Sequence, residues 1–273
     1  MKFGIDIGPT AESLDVRRLG RLVEEYGFES LFFPEHTHVP AVPGGDPRRR
    51  THMLDPFIAL TTVAAVTERL LVATGVCLII QRDPIITAKE VATLDRLSGG
   101  RFLFGIGAGW HRQEMRNHGT DPRTRFALMR ERVLAMQELW SADNSEFHGD
   151  YVDFDPVWLW PKPLQQPHPP ILIGGEGPTV LERVLDYGDG WMPNAHPEVE
   201  QRTRELHARA AELGRLAPEV TVIHTEPDIA VVRAYAAAGI GRCLFSLPSA
   251  GEDEVVRLLK RFRNVVDEFN GAA

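Results

Sequence analysis

Eight times along a chain of 273 residues, a short apolar run gives way to a stretch of helical periodicity. The runs read as strands over 3–7 (FGIDI), 30–34, 70–76, 101–107, 171–175, 190–193, 220–224 and 242–248. The helical stretches cover 16–26, 56–67, 85–97, 126–140, 178–187, 198–213, 228–238 and 252–269. Strict alternation of this kind implies a parallel sheet, because each parallel step needs a crossover, and eight units predict one closed (β/α)8 barrel, a single domain over 1–273. The competitor is an open doubly wound sheet. It would carry G-x-G-x-x-G after its first strand, where this chain reads GPTAES. One insertion breaks the rhythm: residues 141–170 read as a hairpin followed by a proline-rich lead into the fifth strand.

In such a barrel the chemistry belongs at the carboxyl ends of the strands. Those exits are Gly8-Pro9, Glu35-His36-Thr37-His38, Gly75-Val76-Cys77, Gly107-Ala108-Gly109-Trp110, Gly174-Gly175-Glu176-Gly177, Trp191-Met192-Pro193-Asn194, His224-Thr225-Glu226 and Leu247-Pro248-Ser249. Glycines and large aromatics dominate, and acid–base groups are few. Glycine lets a ligand approach the backbone, and Trp110 and Trp191 offer flat apolar surface. The set fits a large planar ligand better than a metal. His-x-His at 36–38 invites a metal reading, but no HExxH and no cysteine pair supports it, so no metal site is expected. At the fifth exit, glycines precede a helix with Pro178 in its expected first turn, a geometry that can present free amides to a phosphate. A plain tight turn needs the same glycines.

Composition excludes several classes. A net charge of −8 argues against general binding to nucleic acid or anionic membranes. The two cysteines, Cys77 and Cys243, lie in apolar runs, which fits a reducing cytoplasm rather than a disulfide scaffold. The start, MKFGIDIGPT, does not read as a signal peptide, and no window approaches the ~18 apolar residues of a membrane span.

The stretches RDPIITAKEVATLDRLSGGRFLFGIGAGW, ILIGGEGPTVLERVLDYGDGWMP and AAAGIGRCLFSLPSAGEDEVVRLLKRF resemble the luciferase-like flavin and deazaflavin oxidoreductases. The narrower likeness is to the short actinobacterial branch described as coenzyme F420-dependent. The resemblance runs nearly the whole chain, in order. It implies a barrel with the cofactor's tricyclic ring at the carboxyl end, a small-molecule substrate and a homodimer. By its motifs, Glu35-His36 take the place of an acid–histidine pair beside the ring, with His36 exchanging a proton and Glu35 fixing its tautomer. Thr74, Gly75, Val76 and Cys77 form the third exit, where relatives often hold a non-proline cis peptide behind the ring; Gly75-Val76 matches. Gly107, Ala108, Gly109 and Trp110 form the fourth, with Trp110 where relatives often carry a polar or acidic residue. Gly174, Gly175, Glu176 and Gly177 match the region near the cofactor's phosphate or tail, and Trp191 adds a wall.

The family uses both F420 and FMN. F420 carries an oligoglutamate tail, and residues 101–132 hold seven arginines against three acids, with Arg48, Arg49 and Arg50 on another exit loop. That favours F420 over FMN, and hydride transfer over an FMN-dependent monooxygenase or a barrel that binds the cofactor without turnover.

Overall fold

The computed structural model describes residues 1–41 and 52–271. Its strands are β1 (Lys2–Asp6), β2 (Ser30–Phe33), β3 (Leu71–Cys77), β4 (Phe102–Ile106), β5 (Ser145–His148), β6 (Asp153–Val157), β7 (Ile171–Gly174), β8 (Gly190–Met192), β9 (Glu219–Val222) and β10 (Arg242–Ser246). All but β5 and β6 close into one parallel barrel in the order β1-β2-β3-β4-β7-β8-β9-β10. The expected (β/α)8 architecture is therefore present. So is the insertion hairpin, as the antiparallel pair β5–β6 outside the barrel.

The helices are α1 (Val16–Glu25), α2 (Pro56–Ala64), α3 (Pro84–Leu97), α4 (Arg112–Asn117), α5 (Arg125–Ser141), α6 (Val180–Tyr187), α7 (Val199–Glu212), α8 (Ile229–Ala237) and α9 (Glu252–Gly271). Local chemistry sets several starts. Asp15, Asp55, Asp83 and Asp228 each accept hydrogen bonds from amides of the first turn. Pro56 and Pro84 open α2 and α3, where a missing N–H costs nothing. Helix α6 starts at Val180, so Pro178 lies just before the helix rather than in its first turn. Among the described residues no helix is long and apolar enough to cross a membrane.

Period-two alternation sorts the strand side chains between two cores. Phe32, Ala73, Leu103, Leu172, Met192, Ile223 and Leu244 fill the barrel interior. Their neighbours Phe33, Val72, Phe104, Ile173, Trp191, Val222 and Phe245 face the helices. The amino end of the interior is closed by charge. Arg242, 2 % exposed, pairs with Glu29 at 2.8 Å and with Glu219, and Lys2 joins Glu219 at 2.5 Å. Burial lowers the Arg242 pKa, but the Glu29 and Glu219 carboxylates more than offset this and hold it above its ordinary value.

Candidate active site

A cleft of about 320 Å³ opens at the carboxyl end of the barrel. Its walls include Asp6 (β1), Pro34 and His36 (after β2), Gly75 (β3), Trp110 (after β4), Asn194 (after β8), His224 (after β9) and Ser246 (β10). The volume falls at the small end of ordinary ligand sites.

His36 reaches this cleft because the β2 alternation continues past the strand. Phe32 faces inward and Phe33 outward, and the next inward places go to Pro34 and His36. The His36 side chain is 13 % exposed, and its Nδ1 lies 3.0 Å from Oε2 of Glu114. Glu114 sits on the short helix α4, is 2 % exposed, and has a buried Oε1 with no partner among the described residues. Burial raises the Glu114 pKa, but the His36 hydrogen bond and the charges of His36 and His38 outweigh that and leave it below the usual range. Trp110 stands edge-on to His36, with ring centroids 5.9 Å apart. His36 therefore presents Nε2 to the cleft, with its orientation set by a buried carboxylate.

Glu35 does not fill the role expected of it. It takes the outward place between Pro34 and His36, is 3 % exposed, and accepts the Leu78 backbone N–H at 2.6 Å and the Arg82 Nε–H at 2.7 Å. Arg82 also bonds Asp55 and Glu90. Glu35 is thus a brace between β2, β3 and α2, and Glu114 holds the histidine. The sequence offered little to find Glu114, which lies 78 residues from His36 in a six-residue helix.

The other expected cofactor contacts divide. Gly75 lines the cleft, and the Gly75-Val76 peptide is cis, as expected, with a register shift against β4 between Thr74 and Cys77. Val76 packs on the interior core, and its side chain explains two glycines. A Cβ on Gly107 would come within 2.7 Å of Val76 Cγ2, and one on Gly174 within 2.7 Å of Val76 Cγ1. Gly107 and Gly174 make room for Val76. Thr74 is fully buried and donates its hydroxyl to Gly105 O. Cys77 and Ala108 belong to the outer core, where burial pushes the Cys77 thiol well up. Gly109 lies against Leu78 and Met115, away from the cleft. Trp191 is fully buried among the helix-facing residues and donates its indole N–H to Gly175 O at 2.9 Å. It pins the fifth exit and is not a wall of the cleft.

At that exit Gly175 and Gly177 are open to solvent, with nothing near a notional Cβ. Glu176 accepts from Asn194 N at 3.0 Å and from its side-chain amide at 2.6 Å, which turns the carboxylate across β8. Arg202 donates to Gly177 O at 3.0 Å. The two histidines of the His-x-His motif turn to different partners: His36 to Glu114, and His38 to Thr37 and Asn117.

The arginine cluster also disperses. Arg101 is tied to backbone carbonyls at the amino end, Arg123 pairs with Asp121, Arg130 with Asp186, Arg125 donates to Pro122 O, and Arg132 donates to Ile79 O. Only Arg112 and Arg116, both on α4 beside the fourth exit, make no hydrogen bond or ion pair among the described residues. Arg48, Arg49 and Arg50 lie outside the described residues.

One constellation was not anticipated. Asp6 and Ser246 are register partners in β1 and β10, on the inward face next above Gly4 and Leu244. The Ser246 hydroxyl lies 2.9 and 3.0 Å from the two Asp6 oxygens. His224 Nδ1 lies 2.6 Å from Ser246 Oγ and 3.2 Å from Asp6 Oδ2. The hydrogen bond to Asp6 raises the His224 pKa against the lowering effect of burial, and the Glu176 charge adds to the rise. His224 holds φ at 57°, the only positive φ at a non-glycine among the described residues.

The luciferase-like monooxygenase family profile matches residues 2–252. The chain is similar to an uncharacterised protein of Mycobacterium tuberculosis, 33% identical over 96% of this chain and 97% of that one. It is similar to the FMNH2-dependent dimethylsulfone monooxygenase of Pseudomonas putida, 29% identical over 72% of this chain and 54% of that one. It is also similar to the F420-dependent glucose-6-phosphate dehydrogenase of Amycolatopsis mediterranei, 30% identical over 78% of this chain and 62% of that one. With its closed barrel, its cleft at the carboxyl ends and this match across most of its length, the chain belongs to the luciferase-like monooxygenase family.

Proposed function

We propose that the protein is an oxidoreductase that moves hydride between coenzyme F420 and a small organic substrate. The observation that carries this reading is His36, held through Nδ1 by buried Glu114 and lining the cleft beside Gly75 and Trp110. A bound deazaflavin supplies the hydride chemistry, and the chain supplies orientation and the proton. Gly75, the edge of Trp110 and His36 fit one end of a flat ring. His36 exchanges a proton at Nε2, while Glu114 fixes its tautomer and ring angle. Arg112 and Arg116, on α4 and unpaired among the described residues, suit the anionic tail of F420. FMN is the alternative cofactor, as in the Pseudomonas relative, and would make the chain a monooxygenase.

Fluorescence-quenching titration of each cofactor, at low and high salt, tests the assignment. F420 is expected to bind more tightly than FMN and to weaken with salt, because tail–arginine attraction is screened. Reversing both charges, Arg112→Glu with Arg116→Glu, removes two exposed attractions and adds two repulsions. At the low end of the roughly 0.2–1 kcal/mol of an exposed pair, the four changes sum to about 1.4 kcal/mol, which weakens F420 about tenfold and leaves FMN nearly unchanged. Tighter FMN binding, with no salt effect on F420, would refute the F420 reading.

A further inference from the structure

The cleft holds two imidazoles, although transfer of one hydride to a simple carbonyl needs one proton donor. His36 follows β2 and His224 follows β9, three strand positions apart round the barrel. Each is held through Nδ1 by a carboxylate: His36 by Glu114 directly, His224 by Asp6 both directly and through the Ser246 hydroxyl. Neither Nε2 has a partner among the described residues. The two units share no residue.

From these two units on separate walls of one cleft, we infer that the substrate is an α,β-unsaturated carbonyl compound, with His224 Nε2–H bonding the carbonyl oxygen and His36 protonating the α carbon. This rests on the hydride-transfer reading above. In the step, hydride from the reduced cofactor forms a C–H bond at the β carbon. The C=C electron pair moves toward the carbonyl, and negative charge builds on the oxygen facing His224. The enolate then collapses back to C=O while its α carbon takes the proton from His36 Nε2, leaving neutral imidazole. The sum is one hydride plus one proton added across C=C, with the carbonyl regenerated.

The His224 wall has the features a developing oxyanion needs. Asp6 is 7 % exposed, and its charge favours a protonated imidazole that can donate at Nε2. The charged groups facing His224 are Asp6 on β1 and Glu176 beyond β7; both favour the cation and both disfavour a carboxylate substrate. The left-handed backbone at residue 224 is disfavoured for a non-glycine residue, and such outliers concentrate where geometry serves function.

The test uses the whole protein loaded with reduced F420, or with reduced FMN if that is what binds, and two probes, 2-cyclohexenone and cyclohexanone. The enone should oxidise the cofactor and the saturated ketone should not. His224→Gln should slow the enone reaction by about 10²–10³-fold, as loss of one oxyanion donor does elsewhere, with cofactor affinity unchanged. Without any substrate, the His224 imidazole followed by NMR should titrate above the ordinary histidine value. Asp6→Asn should lower that midpoint and carry the basic limb of the rate profile down with it, and Ser246→Ala should do the same to a smaller extent. Equal reaction of both probes, or a basic limb unmoved in Asp6→Asn and His224→Gln, would overturn the inference and leave hydride transfer standing. Failure to bind either cofactor, or to oxidise it with either probe, would bring down both.

Discussion

Replacing Gly107 with alanine isolates a single contact whose size can be worked from the structure. The new Cβ would lie 2.7 Å from Val76 Cγ2, about 1 Å inside the ~3.5–4.0 Å separation of a good carbon–carbon contact. Overpacking of this kind costs about 1–3 kcal/mol. Val76→Ala alone removes both γ carbons from the top of the interior core, worth about 1–2 kcal/mol at ~0.8 kcal/mol per carbon buried. In the double variant the nearest Val76 atom becomes Cβ, 3.5 Å away, which is ordinary contact. The clash therefore vanishes, and the pair should cost little more than Val76→Ala by itself. The coupling expected from a double-mutant cycle is about 1–3 kcal/mol. Urea unfolding of the four proteins, with m-values checked for constancy, measures it. If Gly107→Ala costs the same in both backgrounds, Val76 is not the reason for the glycine, and the fourth exit returns as a place where a ligand meets the backbone.

Two further substitutions separate structure from chemistry. Glu35→Gln should destabilise the fold by about 2–4 kcal/mol, since it strips the buried charge that faces half-buried Arg82, while Glu114→Gln should slow turnover more than it lowers stability; chemical denaturation beside single-turnover rates distinguishes the two, and the opposite ranking would restore Glu35 as the histidine's partner. Gly177→Asp has open space and no left-handed backbone to protect, unlike Gly175 with φ at 109°, so it should fold normally and weaken cofactor binding if a phosphate sits at the fifth exit. Unchanged affinity by the same fluorescence titration would reduce that exit to a turn.

The barrel was legible because its signal repeats: eight apolar runs, each followed by helical periodicity, leave few topologies. The hairpin was legible for the opposite reason, as the one place where the repeat fails. Which side chains face the mouth was less apparent, yet part of it lay in strand parity. Counting by twos from Phe32 places His36 inward and Glu35 outward, and counting from Leu244 places Ser246 inward. The same parity turns Trp191 toward the helices, because its neighbour Met192 is interior. Parity fails at Thr74–Cys77, where the register against β4 shifts. Pairings such as Glu114 with His36, or Asp6 with His224, join residues with no periodic relation and exist only once the barrel closes. The glycines are ambiguous in sequence, because a backbone that admits a ligand and a backbone that admits the isopropyl group of Val76 are written with the same residue.

The ion cluster around Arg242 has a kinetic consequence. With Glu29, Glu219 and Lys2 packed about one guanidinium below Phe32 and Leu244, the barrel is a vessel with one door. Two ligands that use that door cannot pass each other. Whichever lies deeper must arrive first and depart last, so under the proposed arrangement, with a ring on Gly75 and a smaller molecule above it, the reaction would run in compulsory order, and release of the upper partner would set the earliest moment at which the ring could leave.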